Sequence, residues 1–308
     1  MPLVICIPSY SRAVASENSA SERGVVVRIL EMIAGLSMGV MLTIQVQAAE
    51  PKRLVSADAG ATNMIVALGL ADSLVAVDVT SPASGDLAEL PRIGYHRNLS
   101  AEGLLSLSPT HLVGTDHMGP DTTLSVLEGA GVELIRLPAA YSLPALKSNL
   151  QAMAEALGRE AQAQSLLDRF AAQTAELQTH SLKGNKVAFI LSARGGFRLA
   201  GAGSNAGQAM IDLLGADNVA DFENYRSVSM ESLLAMEPDV ILVAGEMSSD
   251  PAAALLENQP LLAHTPAGKA GHIFTVDGAT LVAGLSLAAL DEAERVANAV
   301  QPSRPSGH

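Results

Sequence analysis

Tyr95 and Arg97 are the two residues whose types and spacing are best suited to chemistry in this chain. They lie in a short loop that follows Pro91. A tyrosine phenolate is a hard oxygen donor that suits ferric iron. In an extended loop, residues two apart point to the same side, so the Arg97 guanidinium would favour the phenolate form of Tyr95. Two alternatives stay open at this point: Tyr95 only anchors its loop, and Arg97 is a solvated surface residue.

Three neighbouring residues are reserve ligand candidates. His96 would point away from Tyr95 in an extended loop, but a neutral imidazole also binds metal ions. His117 and Met118 lie in a second loop, at 114–120, and could approach the opposite face of a bound group. A buried histidine and a core methionine are the alternative interpretations.

The composition excludes several classes of protein. The chain has 308 residues, of which 48% are hydrophobic and 17% charged, so it can bury a large core and is not disordered as a whole. Its net charge of −13 argues against a nucleic-acid partner. Because Cys6 is the only cysteine, neither a disulfide framework nor a cysteine metal site is expected. No nucleophile–base pattern, P-loop or H-E-x-x-H motif occurs, so we expect a protein that is not an enzyme.

The N-terminal segment predicts an export signal. Arg23 and Arg28 precede an apolar run at 32–46, and the small residues Ala48 and Ala49 follow it. We predict a signal peptide at 1–48, including an N-terminal extension, with cleavage after Ala48 or Ala49. The alternative is a membrane anchor, but the run is shorter than the roughly 20 residues that span a bilayer. We therefore expect export and no stable membrane insertion after cleavage.

The rest of the chain alternates predicted strands and helices, which indicates an α/β fold. We predict an N-terminal α/β lobe at 51–140, a connecting helix at 142–180, a C-terminal α/β lobe at 185–300 and a disordered tail at 301–308. The predicted strands are 53–56, 73–79, 111–114, 133–137, 186–191, 240–243 and 273–276. The predicted helices include 61–70, with Thr62 or Asn63 near its start, 99–107, 121–130, 228–236 and a closing helix at 281–300.

An internal repeat supports the division into two lobes. The sequence SAEGLLSLSP at 100–109 and the sequence SMESLLAMEP at 229–238 share one pattern, and each precedes a predicted strand. A serine followed two residues later by glutamate is typical of a helix start. Two Rossmann-like lobes joined by one long helix explain why the whole pattern recurs, with a ligand cleft between the lobes.

Three segments resemble a known family. These are LPRIGYHRNLSAEGLLSL at 90–107, GTDHMGP at 114–120 and TPAG at 265–268. They resemble the class III, helix-linked periplasmic binding proteins of bacterial ABC importers, and within them the hemin-binding proteins of the HmuT/PhuT/ShuT type. The resemblance implies a periplasmic protein that captures haem and delivers it to the permease dimer of an importer with its ATPase. The alternative within the same class is a corrinoid or ferric-siderophore binding protein.

The resemblance also implies roles for individual residues. Tyr95 would be the axial ligand of the haem iron. Arg97, Arg194 and Arg226 would contact haem propionates or the ligand tyrosine. Some family members have a histidine near the position of Arg194 that helps to bind a second haem, and arginine cannot bind iron, so one haem b per chain is expected.

Glu102 and Glu231, one in each repeat, correspond to the glutamates with which this class docks onto arginines of the permease. Compensation of the helix dipole is a structural role that is compatible with docking.

Overall fold

The computed structural model describes residues 51–193, 196–245 and 249–301. The predicted export signal, Arg194 and most of the predicted C-terminal tail lie outside these ranges. Within the described ranges, no helix has the length and apolar character that crossing a membrane requires.

The N-lobe is built on a four-stranded parallel sheet with the strand order β2-β1-β3-β4. Its strands are β1 (Leu54–Ser56), β2 (Leu74–Val77), β3 (His111–Thr115) and β4 (Glu133–Leu137). Its helices are α1 (Ala59–Ala67), α2 (Ala101–Leu105) and α3 (Asp121–Gly129). Every residue of the inner strands β1 and β3 is buried, as expected for parallel strands that are covered on both faces.

Helix α1 starts earlier than the sequence predicted, and its cap is Asp58 rather than Thr62 or Asn63. One Asp58 carboxylate oxygen accepts a hydrogen bond from the Ala61 N–H at 2.7 Å, and the other accepts one from the Thr115 N–H at 2.8 Å. The Thr62 hydroxyl instead donates to Ser56 Oγ at 2.7 Å. The prediction was wrong because a fully buried carboxylate is held here by backbone N–H groups from two elements, one of which is distant in sequence.

Two helices, rather than one, form the segment between the lobes. They are α4 (Leu143–Leu157) and α5 (Glu160–Thr179). Helix α4 begins at the Ser142 cap with Pro144 in its first turn, where a proline costs no hydrogen bond. It ends at Gly158, which has a φ of +67° and therefore terminates the helix in the left-handed region that glycine favours. The predicted connecting helix is thus helical over most of its length but is interrupted at Gly158.

The C-lobe contains a mixed six-stranded sheet with the order β10-β9-β5-β6-β8, and β7 also pairs with β5. Strands β5, β9 and β10 are parallel, whereas β6 is antiparallel to β5 and β8 is antiparallel to β6. The strands are β5 (Lys186–Ala193), β6 (Gly196–Ala200), β7 (Asp217–Asn218), β8 (Tyr225–Arg226), β9 (Val240–Gly245) and β10 (Ile273–Asp277). The helices are α6 (Ala206–Leu213), α7 (Met230–Ala235), α8 (Pro251–Asn258), α9 (Pro266–Ala270) and α10 (Leu287–Val300).

The sequence repeat is also a structural repeat. Ser100 caps α2 by accepting from the Gly103 N–H at 3.2 Å, and Ser229 caps α7 by accepting from the Ser232 N–H at 3.2 Å. Both predicted serine caps are therefore confirmed. In addition, Ser108 and Glu237, which occupy equivalent positions just before a proline, both have a positive φ, of 48° and 50°.

A short backbone bridge joins the lobes where the strand ends meet. The Ala140 carbonyl accepts a hydrogen bond from the Leu285 N–H at 2.6 Å, and the Ala140 N–H donates to the Ala283 carbonyl at 3.2 Å. Gly284 has a φ of +92°, and a Cβ there would lie 2.3 Å from the Ala140 oxygen, so the bridge requires glycine. The closing helix α10 begins only after this bridge, because Ser286 is its cap.

Candidate ligand-binding site

Three aspartates follow the carboxyl ends of parallel strands in the N-lobe. Asp58 follows β1, Asp78 follows β2 and Asp116 follows β3. The loop that contains Tyr95 packs against the same edge, because the Val79 N–H donates to the Gly94 carbonyl at 3.1 Å and the Ile93 N–H donates to the Val77 carbonyl at 3.0 Å. In open α/β sheets this edge is where ligands bind.

Tyr95 and Arg97 lie on a tight turn. The Tyr95 carbonyl accepts a hydrogen bond from the Asn98 N–H at 2.8 Å, so the expected extended loop was wrong. Tyr95 is 47% exposed and Arg97 is also exposed, whereas His96 between them is 1% exposed. Among the described residues, no hydrogen bond engages the Tyr95 hydroxyl. The structure therefore presents the Tyr95 phenol to solvent and buries His96 behind it.

Arg92 fastens the segment that precedes this turn, a role that the sequence analysis missed. Its guanidinium donates to four backbone carbonyls at 3.0–3.2 Å. Those carbonyls belong to Asp78, Ser81, Pro82 and Leu87. An arginine next to a loop with many carbonyl groups gives no sequence signal of its own, since all its partners are backbone atoms.

The carboxyl groups of Asp58 and Asp78 lie beneath the turn, and both side chains are fully buried. Burial raises the pKa of Asp58 above 3.8, and the nearby Asp78 raises it further. The N–H groups of Ala61 and Thr115 and the charge of His96 act in the opposite direction. Burial and the neighbouring Asp78 therefore outweigh these hydrogen bonds, and the pKa of Asp58 is raised.

The reserve candidates differ in accessibility. His117 is half-buried and its Nε2 lies 3.8 Å from Asp116 Oδ1. Burial lowers the pKa of His117 below 6.5, and the charge of Arg97 lowers it further. Met118 is only 3% exposed and packs in the core of the N-lobe, so its thioether does not face the cleft.

Tyr141 is a further tyrosine at this edge that the sequence analysis did not single out. It follows the bridge residue Ala140 and is half-buried. Burial raises the pKa of Tyr141 above 10.0, Asp116 raises it further, and Arg97 lowers it. Tyr141 also raises the pKa of Tyr225 in the C-lobe. Tyr141 is therefore within electrostatic range of groups on both lobes.

The C-lobe uses its tyrosine differently. Tyr225 is half-buried, and its hydroxyl accepts a hydrogen bond from the Gly207 N–H at 3.0 Å. Burial raises the pKa of Tyr225 above 10.0. The neighbouring Arg226 is exposed, and its guanidinium lies 5.1 Å from the centre of the Phe222 ring, which is a cation–π contact. Arg194 lies outside the described residues.

Glu102 and Glu231 occupy equivalent exposed positions in the first turns of α2 and α7. Hydrogen bonds from its own backbone N–H and from Ser229 lower the pKa of Glu231 below 4.5. Both helices are therefore capped by serine and carry a glutamate that complements the helix dipole. Within the described residues, no group of three or more His, Cys, Asp or Glu side chains is arranged to hold a metal ion.

A family comparison identifies the class of this protein. The model of the periplasmic binding protein family matches residues 54–280. The chain belongs to this family. The crystal structure of the periplasmic haem-binding protein HutB of Vibrio cholerae is 39% identical, with a TM-score of 0.74, over 82% of this chain and 99% of that one. A periplasmic haem-binding protein from Pseudomonas aeruginosa is 35% identical, with a TM-score of 0.70, over 82% of this chain and 94% of that one.

A curated relative with lower identity is named for vitamin B12, whereas the two solved structures above are named for haem. The vitamin B12-binding protein of Yersinia pestis (strain Pestoides F) is 25% identical over 214 residues, which cover 68% of this chain and 74% of the relative. Together these similarities give the protein the fold of the class III periplasmic binding proteins, with two α/β lobes and a cleft between them.

Proposed function

We propose that this periplasmic binding protein captures haem in the cleft between its lobes and delivers it to an ABC importer. The observation that carries the proposal is the Tyr95 phenol, which is 47% exposed on a turn with its hydroxyl unengaged by described residues. A tyrosine oxygen is a known axial ligand of ferric haem. The 39% identity to a haem-binding protein supports the same ligand class.

Cationic side chains supply the second part of the proposed site. Arg97 is exposed on the same turn as Tyr95 and interacts electrostatically with His117 and Tyr141. In the proposal it binds a haem propionate or favours the phenolate form of Tyr95. Arg226, oriented by its stacking on Phe222, would bind a propionate from the C-lobe, and Arg194 would do the same.

An apolar contact for the porphyrin is available beside Tyr95. Val79 is 56% exposed, and its N–H is bonded to the Gly94 carbonyl, so it lies next to the turn. Haem sites combine such apolar surface with a few polar groups that fix orientation. Val79 and Tyr95 together would cover one face of the ring, and His117 is the reserve ligand for the other face.

One haem per chain is the proposed stoichiometry. A second, stacked haem needs an iron ligand on the C-lobe loop, and Arg194 there cannot serve as one. Arginine has no lone pair available for a metal, because its guanidinium stays protonated.

A corrinoid is the second candidate ligand, and the 25% identity to a vitamin B12-binding protein is the observation that favours it. A corrinoid already carries its axial groups, so its binding does not require an exposed phenol.

Titration of the purified protein with hemin, and separately with cyanocobalamin and a ferric siderophore, tests the proposal. We expect a saturable hemin spectrum with a phenolate-to-iron charge-transfer band, complete at one equivalent. Saturation at two equivalents would contradict the stoichiometry alone. No saturable change with hemin would overturn the proposed function, and tight binding of cyanocobalamin in its place would establish the corrinoid.

We also propose that Glu102 and Glu231 dock the protein onto arginines of the permease dimer. They are exposed at equivalent places on the two lobes, so they form a matched pair of negative charges. The double variant Glu102→Lys and Glu231→Lys should bind haem as the wild type does but should fail to support haem uptake in cells. Uptake at the wild-type rate would contradict this role.

A further inference from the structure

His96 lies directly behind the exposed tyrosine. The centres of the Tyr95 and His96 rings are 4.2 Å apart, and the ring planes are tilted by 47°. The Tyr95 side chain is 47% exposed, whereas His96 is 1% exposed. The imidazole is therefore the surface against which the inner side of the phenol packs.

The imidazole is in turn fixed from below by Asp78. His96 Nδ1 lies 3.5 Å from Asp78 Oδ2, and both side chains are buried. The Asp78 carboxylate accepts five hydrogen bonds of 2.8–3.1 Å from four donors, the N–H and hydroxyl groups of Thr80 and Ser81. A carboxylate with four donors is held in one position, and the buried His96 ring packs beside it.

The backbone of His96 is fixed as well. Its carbonyl accepts a hydrogen bond from the Gly119 N–H at 2.9 Å, and the Gly119 carbonyl accepts one from the Leu99 N–H at 2.9 Å. The turn is thus tied to the loop at 114–120 on one side and to β2 on the other. Neither ring nitrogen of His96 has a hydrogen-bond partner among the described residues, so the ring is held by packing and by Asp78.

We propose that His96 is a positioning residue that sets the ring plane of Tyr95 and thereby the geometry of its bond to the haem iron. The inference rests on the proposed function. The His96 imidazole packs against the inner side of the phenol, and it blocks rotation of the Tyr95 ring toward the protein as long as it stays planar and fixed. Groups behind a metal ligand control its orientation, and their loss weakens binding by about 10- to 100-fold in other metal sites.

The same lobe contains a matched control. His111 is also buried, at 8% exposure, and its Nε2 lies 3.4 Å from Glu133 Oε2. It is the first residue of β3, at the edge of the sheet opposite to the candidate site. Removing its ring creates a similar defect in the same lobe without touching Tyr95.

The test compares the charge-transfer band and the rate of haem loss to a scavenger protein in the full-length protein and its variants. We expect His96→Ala to shift the band and to accelerate haem loss by about tenfold. His96→Phe, which keeps a planar ring, should restore both values, whereas His96→Leu should not. His111→Ala should keep the wild-type band and rate.

Two outcomes would overturn the inference: a His96→Ala protein with the wild-type band and rate, or equal changes in His111→Ala. If His96→Ala does not fold, the pair of apolar variants decides, and equal behaviour of His96→Phe and His96→Leu would contradict a role for the ring plane. A wild-type protein without a hemin band would instead remove the proposed function, so the two failures are distinguishable.

Discussion

The two lobes share one scaffold at the start of their sheets and differ at the strand ends. The Thr110 N–H donates to the Arg53 carbonyl at 2.9 Å in the N-lobe, and the Asp239 N–H donates to the Lys186 carbonyl at 2.8 Å in the C-lobe. The side chains repeat this pairing, because Thr110 Oγ1 and Asp239 Oδ2 both accept from the opposing backbone N–H at 2.8 Å. The serine caps of α2 and α7 continue the equivalence.

The lobes diverge directly after their first strands. In the N-lobe, β1 leads within two residues to α1, whose cap is the buried Asp58. In the C-lobe, the antiparallel strand β6 is inserted before α6, whose cap is the uncharged Asn205. Repeated contacts therefore mark the structural part of each lobe, and the unrepeated segments at the strand ends mark where function can differ.

Tyr95 and Tyr225 also differ between the lobes, in whether the hydroxyl is hydrogen-bonded within the protein. Tyr225 precedes the repeat in the C-lobe, and its hydroxyl is used internally by the Gly207 N–H. Tyr95 precedes the repeat in the N-lobe, and no described residue bonds its hydroxyl. A hydroxyl without an internal partner is available to a ligand at no cost to the fold.

Tyr95→Phe and Tyr225→Phe should have the largest and most different effects, because one hydroxyl is proposed to bind the ligand and the other bonds the protein backbone. Each removes one oxygen and keeps the ring. We expect Tyr95→Phe to lose the charge-transfer band and at least about 100-fold in hemin affinity, because the proposed site assigns the iron ligand to the Tyr95 oxygen. Tyr225→Phe should keep the band and lose about 1 kcal/mol of stability, from the loss of one partly buried hydrogen bond. Hemin spectra and urea unfolding measure the two effects, and a band that survives Tyr95→Phe would assign the ligand to another residue.

Arg92→Ala and Arg226→Ala compare an arginine of the N-lobe that is bonded to the backbone with an arginine of the C-lobe that is available to a ligand. Arg92 donates to four carbonyls, so its loss should lower the free energy of unfolding by about 2–3 kcal/mol. Arg226 makes an exposed cation–π contact, and its loss should cost no more than about 1 kcal/mol. Equal unfolding curves for the two variants would contradict the distinction.

Two aspartate caps, one in each lobe, should respond to pH in opposite directions. Burial raises the pKa of Asp58 in the folded state above 3.8, so its contribution to stability is largest below pH 3.8 and declines as pH rises through the folded-state pKa. Hydrogen bonds from Thr275 and Ala253 lower the pKa of Asp250, the cap of α8, so its contribution is present above pH 3.8 and is lost as pH falls.

The variants Asp58→Asn and Asp250→Asn, unfolded in urea over a pH series, measure these slopes. Relative to the wild type, Asp58→Asn should become more stable as pH rises above 3.8. Asp250→Asn should become less stable than the wild type as pH rises toward 3.8. If the stability difference between variant and wild type changed with pH in the same direction for both variants, the opposite pKa shifts of Asp58 and Asp250 would be contradicted.

Local patterns made much of this fold predictable. Strands β3 and β4 and the caps Ser100 and Ser229 each depend on a few adjacent residues, and all were predicted from sequence. Strand β6 was missed because its place in the sheet depends on antiparallel pairing with β5 and β8, which its own residues do not encode. The break at Gly158 is a local signal as well, but it competes with apolar positions that continue on both sides.

The candidate site was predictable only where one residue carries the signal. Tyr95 stands out in its loop by its chemistry. Its turn, however, depends on hydrogen bonds to β2 and to the loop at 114–120, which no single segment encodes. Val79 and Tyr141 were missed for the same reason, because their positions follow from pairing between distant segments rather than from their own neighbours in sequence.

The smallest expected difference concerns the repeat itself. Ser100→Ala and Ser229→Ala each remove a cap hydrogen bond of 3.2 Å, and each should cost about 1 kcal/mol of unfolding free energy. Because the helices they cap are similarly short and each has one buried leucine, Leu104 or Leu233, the two costs should agree within about 0.5 kcal/mol. Neither variant should alter hemin affinity. A clearly larger loss of unfolding free energy in one lobe, measured by urea unfolding, would show that the equivalent caps stabilise the two lobes unequally. A loss of hemin affinity in Ser100→Ala alone would extend the proposed binding site of the N-lobe from the Tyr95 turn to the start of α2.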